Sequence, residues 1–147
     1  MSDYLIKTLS SNDVGETGSH QAGVLVPKVQ DALDFFPFLD ESTENPRSRI
    51  TFVEEATGLA YELNFIHYNG KRLGTSTRDE YRLTGMTRYL RNKGARPGDE
   101  IHLAKSQEGY TLSFHRQGTG IISPVAIDDE IIVLSGAWVT IQKGRKA

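Results

Sequence analysis

The chain has 147 residues and no cysteine, so neither a disulfide framework nor a thiolate-bound zinc can hold it together. Its 37% hydrophobic and 24% charged residues, with 6 Phe, 6 Tyr and 1 Trp, describe one globular domain able to bury a core rather than a disordered segment. A formal net charge of −2 excludes a chain that is basic throughout, and no apolar run approaches the roughly 20 residues a membrane span needs.

In chain order, Tyr4 to Leu9 reads as a strand and SSNDVGETGSH, from Ser10 to His20, as a polar, glycine-rich loop. Gly23 to Val26 is a second strand. Pro27 opens a short helix in which Val29, Leu33 and Phe36 recur on one face, and Pro37 stops it. After a loop from Asp40 to Arg49 come strands at Ile50 to Val53 and Leu59 to Ile66, joined through Gly58. In the second of these Leu59, Tyr61, Leu63 and Phe65 alternate with polar or small residues.

Asn69-Gly70 signals a tight turn. Thr84 is placed to cap a helix whose Met86, Tyr89 and Leu90 share a face, and Gly94 ends it. Pro97-Gly98-Asp99 turns the chain into strands around Ile101 and Leu103 and around Tyr110, Leu112 and Phe114. Ile121 to Ile127 and Glu130 to Gln142 are again rich in strand formers. Residues 144–147 read as a tail after a domain over residues 1–143. The expected fold is mainly β with two short helices, its seven or eight strands closed or nearly closed into a barrel.

Charge is unevenly spread. Between His67 and Arg96, eight basic residues (Lys71, Arg72, Arg78, Arg82, Arg88, Arg91, Lys93, Arg96) stand against Asp79 and Glu80, a net +6. Between Asp31 and Glu62, eight acidic residues stand against Arg47 and Arg49, a net −6. This predicts one positive face that would orient a polyanion and a negative face turned away from it.

Enzymatic patterns are missing. The glycine-rich loop lacks the frame of a GxSxG elbow, and no P-loop, HExxH, CxxC or EF-hand spacing occurs. Neither Asp99-Glu100 nor Asp128-Asp129-Glu130 is followed by lysine at the spacing of a magnesium-dependent nuclease, so both read as turn residues at strand starts. His67, His102 and His115 read as surface or packing residues. The chain is expected to need no metal and no cofactor, and to be no enzyme by itself.

Two blocks carry a family resemblance. The stretch IKTLSSNDVGETGSHQAGVLVP, from Ile6 to Pro27, resembles the N-terminal effector-binding domain of EcoRII-like restriction endonucleases, and YNGKRLGTSTRDEYRLT, from Tyr68 to Thr84, resembles the same family further along. The resemblance implies a DNA-binding pseudobarrel, related to the DNA-binding domain of BfiI and to plant B-three domains, in which two arms grip the major groove of double-stranded DNA. It also implies a prokaryotic, cytoplasmic protein and a catalytic nuclease domain elsewhere in the full-length protein, with a site related to CCWGG as the expected target. A transcriptional regulator on the same fold and a β-barrel protein-interaction module are the alternatives.

The chemistry of the blocks fits such arms. In the first, Asn12, Asp13 and His20 are candidate readers of base edges, with Ser10, Ser11, Thr17, Ser19 and Gln21 as supporting donors and acceptors. In the second, Arg78 and Arg82 can pair bidentately with guanine and Glu80 can accept from cytosine. On an extended arm these three would face one way. A local ion pair of Glu80 with either arginine is the competing role, and the two can coexist. Lys7, Lys71 and Arg72 are candidate phosphate contacts, and Ser76, Thr77 and Tyr81 would support the second arm.

Overall fold

Period-two alternation of apolar and polar residues puts most of this chain into strands, one face of each turned to a shared core. In the computed structural model, residues 3–15, 23–118 and 129–142 are described. Among them are strands β1 (Tyr4–Thr8), β2 (Val24–Val26), β3 (Arg47–Glu54), β4 (Ala60–Tyr68), β5 (Glu80–Thr84), β6 (Glu100–Ser106), β7 (Gly109–His115), β8 (Glu130–Val133) and β9 (Trp138–Gln142). They form one sheet in the order β2-β5-β4-β3-β7-β6-β1-β9-β8, with β3 and β7 parallel and the other pairs antiparallel.

The sheet curls until β9, next to its last strand, meets β2 at the other end. The indole N–H of Trp138 on β9 donates to the Leu25 carbonyl on β2 at 2.8 Å, and the Trp138 side chain is fully buried. A side chain thus closes the barrel where the backbone ladder is interrupted. Inside lie Leu5, Phe52, Leu63, Leu83, Ile101, Leu103 and Leu112, each at most 1% exposed. Short helices cover the openings. The turn after α1 (Gln30–Leu33) inserts Phe35 and Phe36, whose ring stacks on Phe65 at 4.3 Å, and α3 (Thr87–Lys93) sets Tyr89 edge-on to Tyr61 at 4.9 Å.

Helix α3 is also tied by charge. Glu54, 1% exposed, pairs with Lys93 Nζ at 2.7 Å and accepts from the Thr57 hydroxyl at 2.8 Å. Burial pushes the Glu54 carboxyl up, but the Lys93 ammonium and the Thr57 hydroxyl beside it outweigh that and hold the group below its ordinary value.

The elements differ from expectation at identifiable places. There are nine strands and three helices among the described residues, not seven or eight strands and two helices. The extra helix, α2 (Gly70–Leu73), replaces the tight turn at Asn69-Gly70. Asn69 is fully buried, accepts from the Asn45 N–H at 2.8 Å and donates to the Thr43 carbonyl at 2.9 Å, so its side chain staples the 43–45 loop and its backbone, at φ −107, leads into a helical turn. Thr84 caps no helix. It is the last residue of β5, opposite Asn64, and α3 starts three residues later. Strand β3 begins at Arg47, inside the expected loop, because its ladder with β4 extends to Arg47↔Ile66. Residues 121–127 and 144–147 lie outside the described residues.

Two measurements follow from this packing. Trp138→Phe leaves the Leu25 carbonyl without its donor, which should cost about 1–3 kcal/mol and lower Tm by several degrees, with faster amide exchange in β2 than in β4. Glu54→Gln should destabilise the domain at neutral pH. Because the folded-state carboxyl is depressed, its contribution is present above the unfolded-state value and is lost as pH falls, so the Tm gap to the parent chain should close in acid.

Candidate nucleic-acid interface

Two loop segments leave the barrel at opposite ends of β5. The first departs after β1 and returns at Gly23, next to the Thr84 end; the second runs from Asn69 to Asp79 and enters β5 at Glu80. The return requires glycine at position 23. Its φ is +92, and a Cβ there would lie 2.5 Å from the Leu83 carbonyl oxygen.

The second segment is a closed, exposed loop. Helix α2 ends at Gly74 in the left-handed region, the Lys71 N–H donates to the Arg78 carbonyl at 2.8 Å, and the Thr75 N–H donates to Gly70 at 2.8 Å. The Ser76 hydroxyl accepts from the Arg78 N–H at 3.2 Å. Lys71, Arg72, Ser76, Thr77 and Arg78 are all exposed.

Arg78, Glu80 and Arg82 come together as a clamp. Glu80 Oε1 accepts from Arg78 Nε at 2.8 Å and Nη2 at 2.6 Å, while Oε2 accepts from Arg82 Nε at 3.2 Å and Nη2 at 3.1 Å. Arg82 Nη1 also donates to the Gly23 carbonyl at 3.1 Å, so the clamp reaches from one loop segment to the other. Arg78 lies over the Tyr68 ring at 3.7 Å. Burial pushes the Glu80 carboxyl up, yet the guanidinium hydrogen bonds hold it below its ordinary value. Each guanidinium has five N–H donors, so each keeps some for a further acceptor. The ion pair weighed as a competing role for Glu80 is therefore formed, with both arginines.

Asp79 and Tyr81 point the other way from this clamp. Asp79 lies 2.9 Å from His67 Nε2 and 3.1 Å from Lys28 Nζ, and these hydrogen bonds, His67 first, hold its carboxyl below the usual range. His67 Nδ1 lies 2.7 Å from Glu41, and Tyr81 stacks on His67 at 4.0 Å and on Phe65 at 5.6 Å. The Tyr81 ring thus packs between His67 and Phe65, away from the clamp. The sequence reading missed this cluster, because His67 meets Tyr81 only through the β4–β5 register and Glu41 only through tertiary packing. The one local signal was the alternation of Asp79 with Arg78 and Glu80.

In the first segment, two expectations change. Lys7 is 6% exposed; its ammonium donates to the Gly136 carbonyl at 2.6 Å and pairs with Asp13 at 3.4 Å, so it braces the loop from inside and does not face a phosphate. Asp13, 7% exposed, accepts from the Ser10 N–H at 2.9 Å, and its own N–H donates to the Ser10 hydroxyl at 3.2 Å. That reciprocal pair locks a local turn and turns the Asp13 carboxylate inward, away from any base edge. Ser11 and Asn12 are exposed. Thr17, Ser19, His20 and Gln21 lie outside the described residues.

The basic run is not one face. Arg78 sits at the Tyr68 end of β4, whereas Arg88 on α3 lies 5.0 Å from the Tyr61 ring at the other end, roughly 23 Å away at about 3.3 Å per residue. Lys93 is spent on Glu54, and Glu41 from the acidic stretch sits against His67 and, at 3.7 Å, Arg72. Positive groups therefore stand at both ends of β5, and one acidic residue stands behind them. Away from here, Asp99 is a buried turn residue, as expected, accepting from the Arg96 and Gln117 N–H groups at 2.9 and 2.8 Å. His102 packs between the Tyr4 hydroxyl at 3.1 Å and the His115 ring at 3.7 Å. Among the described residues, no group of three or more His, Cys, Asp or Glu is placed to hold a metal ion, and no helix is long and apolar enough to cross a membrane.

Residues 2–95 match the family model described as restriction endonuclease EcoRII, N-terminal. Among solved structures, the chain is similar to the B3 domain of the UbaLAI restriction endonuclease, crystallised with cognate DNA, at 23% identity and a TM-score of 0.55, over 95% of this chain and 87% of that one. No curated protein matches.

Because the Arg78–Glu80–Arg82 clamp is partly solvated, it should add little to folding. Glu80→Gln is expected to change unfolding free energy by less than about 1 kcal/mol. In the parent chain the Glu80 carboxyl, followed by NMR, should titrate below an ordinary glutamate and move up in Arg78→Ala.

Proposed function

The chain belongs to the family of the restriction endonuclease EcoRII N-terminal domain, and from that premise we propose that it recognises a specific sequence in double-stranded DNA with two arms set in the major groove. The observation that carries this reading is the clamp: a carboxylate held between two guanidiniums on a projecting strand end. A surface that only attracted phosphates would gain nothing from that carboxylate. A reader of base edges gains, because Glu80, its acceptor sites taken up by the two arginines, pre-orients their forks toward guanine O6 and N7, and it accepts from cytosine N4 only if one of these bonds opens.

Spacing supports the same reading. The two arms leave opposite ends of a five-residue strand, about 13 Å apart along it at about 3.3 Å per residue, close to the ~12 Å width of the major groove. Between them the outer face carries Arg82 and its ladder partner Leu25, which is 46% exposed. Lys71 and Arg72 on the exposed loop suit phosphates, and Asn12 and His20 suit base edges from the other arm. The chain breaks no bond itself on this reading. It serves as the target- or effector-DNA module of a restriction endonuclease whose catalytic domain lies elsewhere, and a short G/C-rich site related to CCWGG is the first target to try.

Selection of bound duplexes from a random pool should enrich one short motif, with affinity falling as salt rises by about 0.9 log units per log unit for each phosphate contacted. Arg78→Ala, Glu80→Ala and Arg82→Ala should each remove about 1–3 kcal/mol of discrimination between the selected site and single-base variants, while Lys71→Ala weakens all duplexes alike. Enrichment of no duplex would overturn the reading.

A further inference from the structure

Along the second arm, residue parity sorts side chains onto two sides. Arg78, Glu80 and Arg82 bond to one another on the outer side, whereas the residues between them turn inward onto one imidazole. His67, 3% exposed, has an acceptor at each ring nitrogen, Glu41 at 2.7 Å and Asp79 at 2.9 Å, and the Tyr81 ring lies on its face at an interplanar angle of 12°. In-plane bonds on two sides and a stack across the face leave the ring no freedom to turn. His67 thereby joins three pieces of chain: the loop after α1, the end of β4 and the arm.

The arm needs such a joint. The β4–β5 ladder ends at Tyr68↔Glu80, so at Arg78 and Asp79 the twist of the chain rests on side chains and on the Lys71 N–H bond to the Arg78 carbonyl. A bidentate contact tolerates errors of only about 0.5 Å or 10–20°, less than an arm pinned at one edge would hold. We propose that His67 is a positioning residue for recognition: acting through Asp79 and Tyr81, it sets the angle at which Arg78, Glu80 and Arg82 are presented, and so governs discrimination without touching DNA. This rests on the reading of the chain as a DNA-recognition module.

The test uses the full chain, the duplex selected from a random pool, its single-base variants and a random-sequence duplex, with folding followed by thermal melting. His67→Ala should lower the ratio of selected to variant affinity about tenfold, the scale of one bidentate contact, while random-duplex affinity changes less than about twofold. Asp79→Ala should do the same. Asp79→Asn, whose amide oxygen still accepts from His67, should recover most of the loss. Added to Arg78→Ala, His67→Ala should cost little more at the base that Arg78 reads, because the two act through one contact. If His67→Ala does not fold, the Asp79 pair carries the test, since that side chain is 34% exposed.

The proposal is overturned if His67→Ala and Asp79→Ala keep the parent ratio, if they lose selected and random affinity in proportion, or if Asp79→Asn is as impaired as Asp79→Ala. A parent chain that prefers no duplex refutes the DNA reading, and the positioning role with it. A parent preference that survives in the variants refutes the positioning role alone.

Discussion

Everything in this molecule depends on how the curled sheet is tied across the gap between β9 and β2. The bond from the Trp138 indole to the Leu25 carbonyl joins β9 to β2 where no ladder runs, and the buried indole fills the space behind the joint. A shared backbone ladder would have removed both edges. A side-chain closure instead leaves β2 free to be a three-residue strand, short enough that the loop before it and the loop before β5 emerge on either side of the same surface.

The closure also explains why so much polar material is buried near the loops. Lys7 and Asp13 form a pair beside the Gly136 carbonyl, one element away from Trp138, and Asn69 staples the 43–45 loop from within. Unsatisfied, each of these groups would cost on the order of 1–3 kcal/mol. Bonded, they fix where a loop leaves the barrel, which hydrophobic packing alone does not, because apolar contacts are not directional. The clamp on Glu80 and the joint on His67 extend the same device outward: charge and hydrogen bonding set angles on a scaffold that apolar burial holds together.

Charge behaves differently in space than along the chain. The acidic and basic runs looked like two faces, but Glu54 and Lys93 cancel inside the fold, Glu41 crosses to stand behind the basic loop, and the remaining cations divide between the two ends of β5. Arg78 lies over Tyr68 on the outer side of β4 and Arg88 over the buried Tyr61 on its inner side, so the two do not share one positive face.

The sequence by itself determined the β-rich class, most strand cores and the grouping of Arg78, Glu80 and Arg82, because period-two alternation is a local property that survives into any sheet. Local signals failed where a residue's partner is remote. Asn69 and Thr84 carry turn and cap chemistry, yet Asn69 is used to bond a loop 24 residues away and Thr84 is held by the ladder to β4. Lys7 and Asp13 are polar and sit in or beside a polar loop, and only the fold turns them inward. The tertiary structure alone decided the closure at Trp138, the separation of the two arms and the joint at His67, since each depends on strand order and register, which non-local contacts set and no window of sequence contains.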